Sequence, residues 1–318
     1  MKNKIQKNTY VSGGKGSFAA RFASDLKVNR AAYIMIIPVL LFYIVFAYLP
    51  MYGVIIAFKD YDISTGILGS SWVGLANFKS FFSSMYFGRV LKNTLTISLC
   101  SILFGFPAPI ILALLLNEVK HKWFLRTVQT ITYLPHFISL VVICGMIKNF
   151  TAQDGIVNYI VEFFGGTRST LLMNANAFVP IYIISDIWQG VGWGSIVYFA
   201  ALTNVDSELY EACTLDGGGR IRQVFTVTLP GIMPTIMIML ILRLGSILGV
   251  GYEKIILLYN PTIFKTADVI STFVYRKGLV ESDFGYATAV GLFNSLVNVI
   301  FLVGANLISR KLTETSLW

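Results

Sequence analysis

The chain has 318 residues, of which 55% are hydrophobic and 13% are charged, with a formal net charge of +9. Soluble domains average about 45–50% apolar and ~25% charged residues, so this composition excludes an ordinary soluble protein and predicts a membrane protein. The positive charge does not indicate nucleic-acid binding, because the cations flank hydrophobic stretches, as expected at a lipid surface.

Six stretches of the chain contain the ~20 mostly apolar residues that a membrane-spanning helix needs. They cover approximately residues 33–58, 93–117, 127–148, 177–203, 231–251 and 287–309. We therefore predict an all-α integral membrane fold with six spans. Lys and Arg are more numerous in the termini and in the second–third and fourth–fifth loops than in the alternate loops, which places both termini in the cytoplasm.

The segment before the first span, residues 1–32, is basic. Phe18, Phe22 and Leu26 recur in it at near-helical spacing, which leaves open either an interfacial helix or a disordered segment. The apolar run that starts at Tyr33 is too long for the core of a cleavable signal peptide. Together with a short cytoplasmic tail, 310–318, this segment frames a transmembrane domain over residues 33–309.

The fourth span is the least lipid-like of the six, because Asp186, Trp188, Gln189 and Trp193 interrupt it beside several glycines. Polar groups in hydrocarbon should face the interior of the bundle or a wet cavity. Indole faces pack on the apolar faces of sugar rings, and amides hydrogen-bond sugar hydroxyls. Trp188, Gln189 and Trp193 are therefore candidates for a substrate pathway, with plain helix packing by small residues as the alternative.

A short loop helix is predicted within residues 204–230, between the fourth and fifth spans. Asp206, Ser207 and Glu208 supply the capping and acidic groups that favour the start of a helix. Glycines at 217–219 favour its end, because glycine adopts left-handed conformations without strain. The sequence is EACTLDG at 211–217, then nine residues, then VTLP at 227–230.

This spacing resembles the signature of the membrane subunits of binding-protein-dependent ATP-binding cassette importers, with Cys213 in place of an alanine and Val227 in place of an isoleucine. The resemblance implies a type I importer permease whose loop docks on a cytoplasmic ATPase. Glu211 would then pair with a basic group of the ATPase, and Gly217 would make the turn. The residues that the resemblance assigns to ATPase coupling are Glu211, Ala212, Cys213, Asp216, Gly217, Leu229 and Pro230.

Arg243 is the anomaly of the fifth span. It lies about 12 Å below the outer end of that span at 1.5 Å per residue, and Asp186 lies ~14 Å below the same face. Equal depth allows an intramembrane Asp186–Arg243 ion pair, which would offset the cost of either charge alone. The alternative is that Arg243 faces the substrate pathway and meets an acidic sugar.

The sixth span carries Asn294 and Asn298 four residues apart, and therefore on one helix face. They either line the substrate pathway or join helices.

In the second span, Gly105, Pro107 and Pro109 predict a kink, which serves either gating or static packing.

Further phrases resemble the permeases that import oligosaccharides from polysaccharides, a branch related to the maltose-type permeases. They are YLPMYG at 48–53, WVGLANF at 72–78, DIWQGVGW at 186–193, YEK at 252–254, YNP at 259–261 and DVIST at 268–272. This resemblance implies a bacterial cytoplasmic membrane protein that forms a heterodimer with a second, homologous permease. Its other implied partners are an ATPase dimer, an extracytoplasmic lipoprotein that binds the substrate, and an oligosaccharide.

The chemistry that the sequence lacks limits the function further. It has no phosphate-binding loop of the GxxxxGK[ST] type, no zinc-type histidine cluster and no legible nucleophile–base pair. We therefore expect no catalytic residues, no metal and no cofactor on this chain, with ATP and Mg²⁺ bound by the partner ATPase.

Two other functions stay open, namely an ATP-independent secondary transporter of a small polar solute and a regulatory or structural membrane subunit. The resemblance implies an oligosaccharide substrate, either acidic, such as a pectin- or alginate-derived fragment, or neutral.

Overall fold

The computed structural model describes residue 22, residues 25–313 and residues 316–317. It consists almost entirely of helices and divides into two compact units, Met1–Ile55 and Ile56–Trp318. Phe18 and most of the predicted basic segment lie outside the described residues, as does part of the predicted tail.

Most of the described residues of the first unit form one long helical stretch. It runs through α1 (Arg30–Tyr43), a π-helical turn (Ile44–Tyr48) and α2 (Leu49–Met51). Asp25 precedes α1, and its carboxylate accepts hydrogen bonds from Tyr33 Oη in the first turn of that helix, at 2.5 Å, and from Asn29 Nδ2, at 2.6 Å. A 3₁₀ helix, Tyr52–Phe58, follows α2.

The second unit begins with a small hairpin and then becomes helical. Its first elements are β1 (Lys59–Asp60), α3 (Gly66–Gly69), β2 (Ser71–Trp72), α4 (Ala76–Ser83), α5 (Phe87–Cys100), α6 (Pro107–Asn117), α7 (Lys122–Tyr133), α8 (Leu140–Phe150) and α9 (Ile156–Phe163). Then come α10 (Ala175–Leu202), α11 (Ser207–Leu215), α12 (Arg220–Gln223), α13 (Leu229–Leu244), α14 (Tyr252–Leu258), α15 (Phe264–Ala267), α16 (Ile270–Tyr275) and α17 (Phe284–Thr313). β1 pairs antiparallel with β2, with Lys59 opposite Trp72.

Within the described residues, four helical stretches are long and apolar enough to cross a membrane, namely Arg30–Phe58, Phe87–Asn117, Arg220–Leu244 and Phe284–Lys311. A fifth candidate is the pair Lys122–Phe137 and Leu140–Phe150, which is bent by 100° instead of forming one straight helix. The predicted fourth span coincides with α10, whose 28 residues are long enough, although Asp186, Gln189 and the glycines lower its hydropathy. The count of six spans and the side of the termini stay predictions.

Three prolines in these long helices each follow a π-helical turn. Pro50 follows Ile44–Tyr48, Pro107 follows a turn at residues 101–105, and Pro230 follows one at residues 224–228. Proline has no N–H and its ring clashes with the carbonyl four residues earlier, so a widened turn lets the helix continue. The kink expected in the second span therefore takes the form of a π turn, with Phe106 N bonded to Ser101 O at 3.1 Å.

Helix α10 packs against α6, α7 and α13. Its small residues make this contact close, because a Cβ at Gly192 would lie 2.1 Å from the backbone oxygen of Thr132 in α7. A Cβ at Gly194 would lie 3.2 Å from Pro109 Cβ in α6. Gly192 and Gly194 are thus helix-packing positions, whereas a Cβ at Gly190 would meet nothing within 4 Å.

Candidate functional site

The loop between α10 and α13 contains a helix that begins and ends as the sequence predicts. The Asp206 carboxylate caps α11 by accepting a hydrogen bond from Glu208 N at 3.0 Å. At the other end, Gly217 has a φ of +76°, a conformation that favours glycine. Gly218 N donates to Cys213 O at 2.8 Å and closes the last turn. Local residues therefore define this helix.

Side-chain contacts attach α11 to the beginning of the next long helix. Tyr210 Oη donates to Thr228 Oγ1 at 3.2 Å, and Gln223 Nε2 donates to Thr214 Oγ1 at 2.9 Å. Cys213 Sγ lies 3.7 Å from Thr226 Oγ1. We call the Tyr210–Thr228 and Gln223–Thr214 hydrogen bonds the tether. The sequence analysis missed these residues, because hydroxyl and amide side chains in a loop have no distinctive pattern.

The outer face of α11 is free of contacts with the rest of the described chain. Glu211, Ala212, Asp216 and Gly217 are exposed, as is Leu215. Cys213 is half-buried because it faces Thr226. Two other residues that were assigned to coupling belong to the next helix, since Leu229 and Pro230 open α13. An exposed helix that carries carboxylates and apolar side chains is suited to docking in a cleft of a partner.

Two cavities lie around Asp186, at the other end of α13, and the first of them is mainly polar. The first has a volume of about 250 Å³ and includes Tyr182, Asp186 and Arg243 in its lining, with serines 98, 101 and 246. The second has a volume of about 300 Å³ and includes Asp186, Gln189 and Lys254. Tyr182, Asp186 and Gly251 line both cavities, so Asp186 stands at their junction.

Asp186 forms an ion pair with Lys254 and not with Arg243, which corrects the pair that the sequence suggested. Lys254 Nζ lies 3.4 Å from Asp186 Oδ1 and 4.9 Å from the centre of the Tyr182 ring. The Lys254 side chain is only 5% exposed, whereas that of Asp186 is 42% exposed. Helix α13 ends at Leu244, and the chain then turns back into α14, which carries Lys254 to the carboxylate. A comparison of the depths of Asp186 and Arg243 along two straight helices could not predict that the chain turns back after α13.

Arg243 lines the first cavity and makes no ion pair within the described part of the chain. Its neighbours in that lining include hydroxyl groups of serines. A cation without an anionic partner beside a polar cavity is a ready site for an anionic group of a ligand.

The two tryptophans of α10 lie outside the linings of both cavities. Trp193 stacks on the His136 ring, with centroids 4.5 Å apart and planes 2° from parallel, and Phe137 meets its edge at 5.7 Å. Trp188 and Trp193 are 43% and 47% exposed. The bend between α7 and α8 brings His136 and Phe137 to Trp193. The tryptophans therefore leave aromatic surface uncovered, and their place in a pathway stays a prediction.

The asparagines of the last helix have different surroundings. Asn298 Oδ1 accepts a hydrogen bond from Leu248 N at 2.9 Å, which joins α17 to the turn after α13. Asn294 Oδ1 is buried and has no hydrogen-bond partner among the described residues. Neither residue lines the two cavities, so Asn298 acts here as a helix-joining residue, one of the two roles left open by the sequence.

A buried carboxylate, Asp268, anchors the segment that follows α14. Arg276 binds both of its oxygens, at 3.1 and 2.8 Å, and Arg89 of α5 approaches at 3.3 Å. Thr272 Oγ1 donates to the same carboxylate at 3.0 Å. The Asp268 side chain is 0% exposed, so the network fixes this segment against α5. The DVIST phrase at 268–272 does not by itself predict this role, because Arg89 is 179 residues away in sequence.

The comparisons with known proteins agree on one class. The family model described as "Binding-protein-dependent transport system inner membrane component" matches residues 105–314. The protein LplB of Bacillus subtilis (strain 168) is 42% identical over 97% of this chain and 96% of its own length. The polygalacturonan/rhamnogalacturonan transport system permease protein YteP of the same strain is also 42% identical, over 94% of this chain and 93% of its own.

A solved structure has a similar fold. It is the bacterial alginate ABC transporter in complex with an alginate pentasaccharide-bound periplasmic protein. One of its chains is 44% identical to this one and superposes with a TM-score of 0.86, which covers 93% of this chain and 100% of that one.

Proposed function

Because this chain belongs to the family of binding-protein-dependent transport system inner membrane components, we propose that it passes acidic oligosaccharides through the membrane. It is a permease subunit of a sugar ABC importer of the bacterial inner membrane, and it is not an enzyme. Family membership leaves the ATP-independent transporter and the regulatory subunit without an observation in their favour.

The class of sugar is supported first by the relatives. YteP is named for polygalacturonan and rhamnogalacturonan, and the solved relative imports alginate, an acidic polysaccharide. Both relatives thus act on polymers that contain carboxylates. An oligosaccharide derived from such polymers carries several negative charges along its length, and a permease for it needs cationic groups beside its pathway.

The observation that carries the proposal is Arg243. It lines the first cavity, and the nearby Asp186 is already paired with Lys254. Its guanidinium is therefore available for a bidentate contact with a sugar carboxylate, a charge-assisted arrangement that is stronger than a neutral hydrogen bond. The sequence analysis left open whether Arg243 pairs internally or meets an acidic sugar, and we propose the second role.

The other groups around the cavities suit the neutral parts of a sugar. Gln189 and Tyr252 line the second cavity and offer an amide and a phenol for hydroxyl groups. Outside the two cavities, the half-exposed indole of Trp188, and the face of Trp193 that His136 does not cover, offer apolar surface for sugar rings. We assign these residues to the pathway and leave Asn294 and Asn298 to the contacts within the bundle.

The importer works with a periplasmic substrate-binding protein, as the solved relative does. We further propose a second, homologous permease beside this chain, a lipoprotein as the binding protein, and an ATPase dimer that holds ATP and Mg²⁺. The exposed face of α11, with Glu211, Ala212 and Asp216, is the surface that we assign to the ATPase. No cofactor site is proposed on this chain.

The path of coupling follows from the tether. When the partner displaces α11, the hydrogen bonds of Tyr210 and Gln223 transmit the displacement to residues 223–228, which lead directly into α13 at Leu229. Arg243 lies fourteen residues further along the same helix, about 21 Å away at 1.5 Å per residue. A shift of α13 therefore moves the cation at the cavity in the same step.

The role of Arg243 is tested by uptake of sugars that differ in charge. Arg243→Met should lower uptake of a uronic-acid oligosaccharide about tenfold or more, since a hydrogen bond to a charged group contributes about 1.5–3 kcal/mol. Uptake of a neutral oligosaccharide of equal length, if the wild type transports it, should not change. Lys79→Met removes an exposed cation outside both cavities and is the matched control. Equal uptake of the acidic sugar by the Arg243 variant and the control would refute the assignment.

A further inference from the structure

The segment between α8 and α10 contains a short helix, α9, that its own loop holds in a fixed orientation. Asn158 Nδ2 donates to Ala152 O at 2.6 Å and to Ser169 O at 2.7 Å, and its Oδ1 accepts from Ser169 N at 3.1 Å. The Asn158 side chain is buried, so one face of α9 is turned permanently inward. Leu171 N also bonds Thr151 O at 3.1 Å and closes the loop at its base.

The opposite face of α9 is an uncovered apolar stripe. Its members are all large and exposed, and they follow the spacing of one helical face into the residue after the helix, namely Ile156, Tyr159, Ile160, Phe163 and Phe164. Phe163 is 85% exposed and Phe164 is 81% exposed. A contiguous apolar stripe of this kind marks an interaction surface and not a random scatter of surface side chains.

We propose that this stripe lies in the membrane interface and that its partner is the lipid bilayer. The loop follows α8 at Phe150 and precedes α10 at Ala175, and these two helices overlap the predicted spans 127–148 and 177–203. Leu171 N bonds Thr151 O at the base of the loop and Asn158 ties α9 to Ala152 and Ser169, so these contacts keep α9 folded close to the ends of α8 and α10. An amphipathic helix in that position buries its apolar side at the boundary between headgroups and acyl chains.

The polar residues at the edge of the stripe fit the same position. The Arg168 guanidinium lies 4.1 Å from the centre of the Tyr159 ring and pairs with Glu162. Aromatic rings with a cation beside them are the side chains that collect at the level of the lipid headgroups, where the ring is apolar and the charge stays in water.

A lipid partner explains the exposure better than a protein that docks and leaves. The substrate-binding protein of an importer must dissociate after each delivery, which would return five large apolar side chains to water in every cycle. Such exposure opposes release, because apolar surface is unfavourable in water. Lipid covers the stripe throughout the cycle.

Photocrosslinking tests the assignment without relying on transport. Phe163→p-benzoylphenylalanine places a photoreactive group in the stripe, and Gln153→p-benzoylphenylalanine places it at an exposed polar position of the same loop. The complete importer is irradiated in vesicles of phosphatidylethanolamine and phosphatidylglycerol, with and without the substrate-binding protein. Mass spectrometry of the chain then identifies the adducts.

We expect phospholipid adducts at position 163, at least tenfold more abundant than at position 153, and unchanged by the binding protein. Adducts to another subunit would overturn the proposal in favour of a permease–permease interface. Adducts to the binding protein would overturn it in favour of a docking site, and the absence of any adduct at 163 would mean that the stripe faces water. None of these results depends on which sugar the importer carries.

Discussion

The loop of residues 204–230, which we assign to coupling and call the coupling loop, lies at one end of α13. The first cavity, which Asp186 and Arg243 line, lies at the other end, and a different kind of contact holds each region. In the loop, the residues that bond each other are close in sequence, as in the Tyr210–Thr228 pair, 18 residues apart. At the cavity, Asp186 and Lys254 are 68 residues apart and belong to helices separated by the whole coupling loop. The loop is thus a locally determined part that can present one surface to a partner, whereas the cavity exists only when the bundle is assembled.

This difference predicts that damage to the long-range contacts has the larger effect on the folded protein. Asp268 gives the extreme case, because its carboxylate is fully buried and satisfies two arginines at once. Asp268→Asn leaves Arg89 and Arg276 without an anion, and breaking a buried ion pair costs about 3–5 kcal/mol. Thermal unfolding of the protein in detergent should show this loss.

Asp283→Asn is the matched control for Asp268, since Asp283 is exposed and only caps the start of α17 through Tyr286 N. The Asn side chain still offers Oδ1 to Tyr286 N, so this variant should change stability by well under 1 kcal/mol, as surface substitutions usually do. Similar melting temperatures for the two variants would show that the Asp268 network does not hold the bundle together.

The ion pair at the cavity should have an intermediate effect. Lys254→Met and Asp186→Asn each leave one charge without its partner, and we expect up to about 3 kcal/mol of destabilisation, the low end for a buried pair because Asp186 is partly exposed. The double variant should lose less than the sum of the two single losses, because it removes both charges. Additive losses in a double-mutant cycle would contradict the pairing.

The coupling loop should show the reverse behaviour, with little change in stability and a large change in partner binding. Gly217→Pro is incompatible with the φ of +76° at this position, and Glu211→Ala removes an exposed carboxylate from α11. We expect the folded permease to remain in the membrane while co-purification of the ATPase in mild detergent falls by more than half. Full retention of the ATPase by both variants would mean that another surface binds it.

These regions also differ in how far the sequence predicts them. Asp206, Gly217 and the spacing to Pro230 define the loop helix by capping and backbone rules that act over a few residues, and its bounds were predicted correctly. Lys254 could not be assigned, because no local rule says that the chain turns back after Leu244. The family and the sugar-import function followed from motifs, whereas the partner of Asp186 required the three-dimensional structure.

The central claim is that the tether carries movement of α11 to the cavity through α13. The double variant Tyr210→Phe with Gln223→Ala removes both hydrogen bonds of the tether and leaves the exposed face of α11 unchanged. Thr203→Ala is the control, because that hydroxyl bonds only Ala200 O within its own helical turn. The measurement is the number of oligosaccharides imported per ATP hydrolysed by the complete importer in vesicles.

Each hydrogen bond of the tether contributes about 0.5–1.5 kcal/mol, so removing both should weaken the coupling between ATP hydrolysis and import by roughly fivefold or more. We predict that the tether variant keeps its ATPase, hydrolyses ATP, and imports at least fivefold fewer sugars per ATP than the control. If the tether variant still binds its ATPase and imports as many sugars per ATP as the control, the account is contradicted.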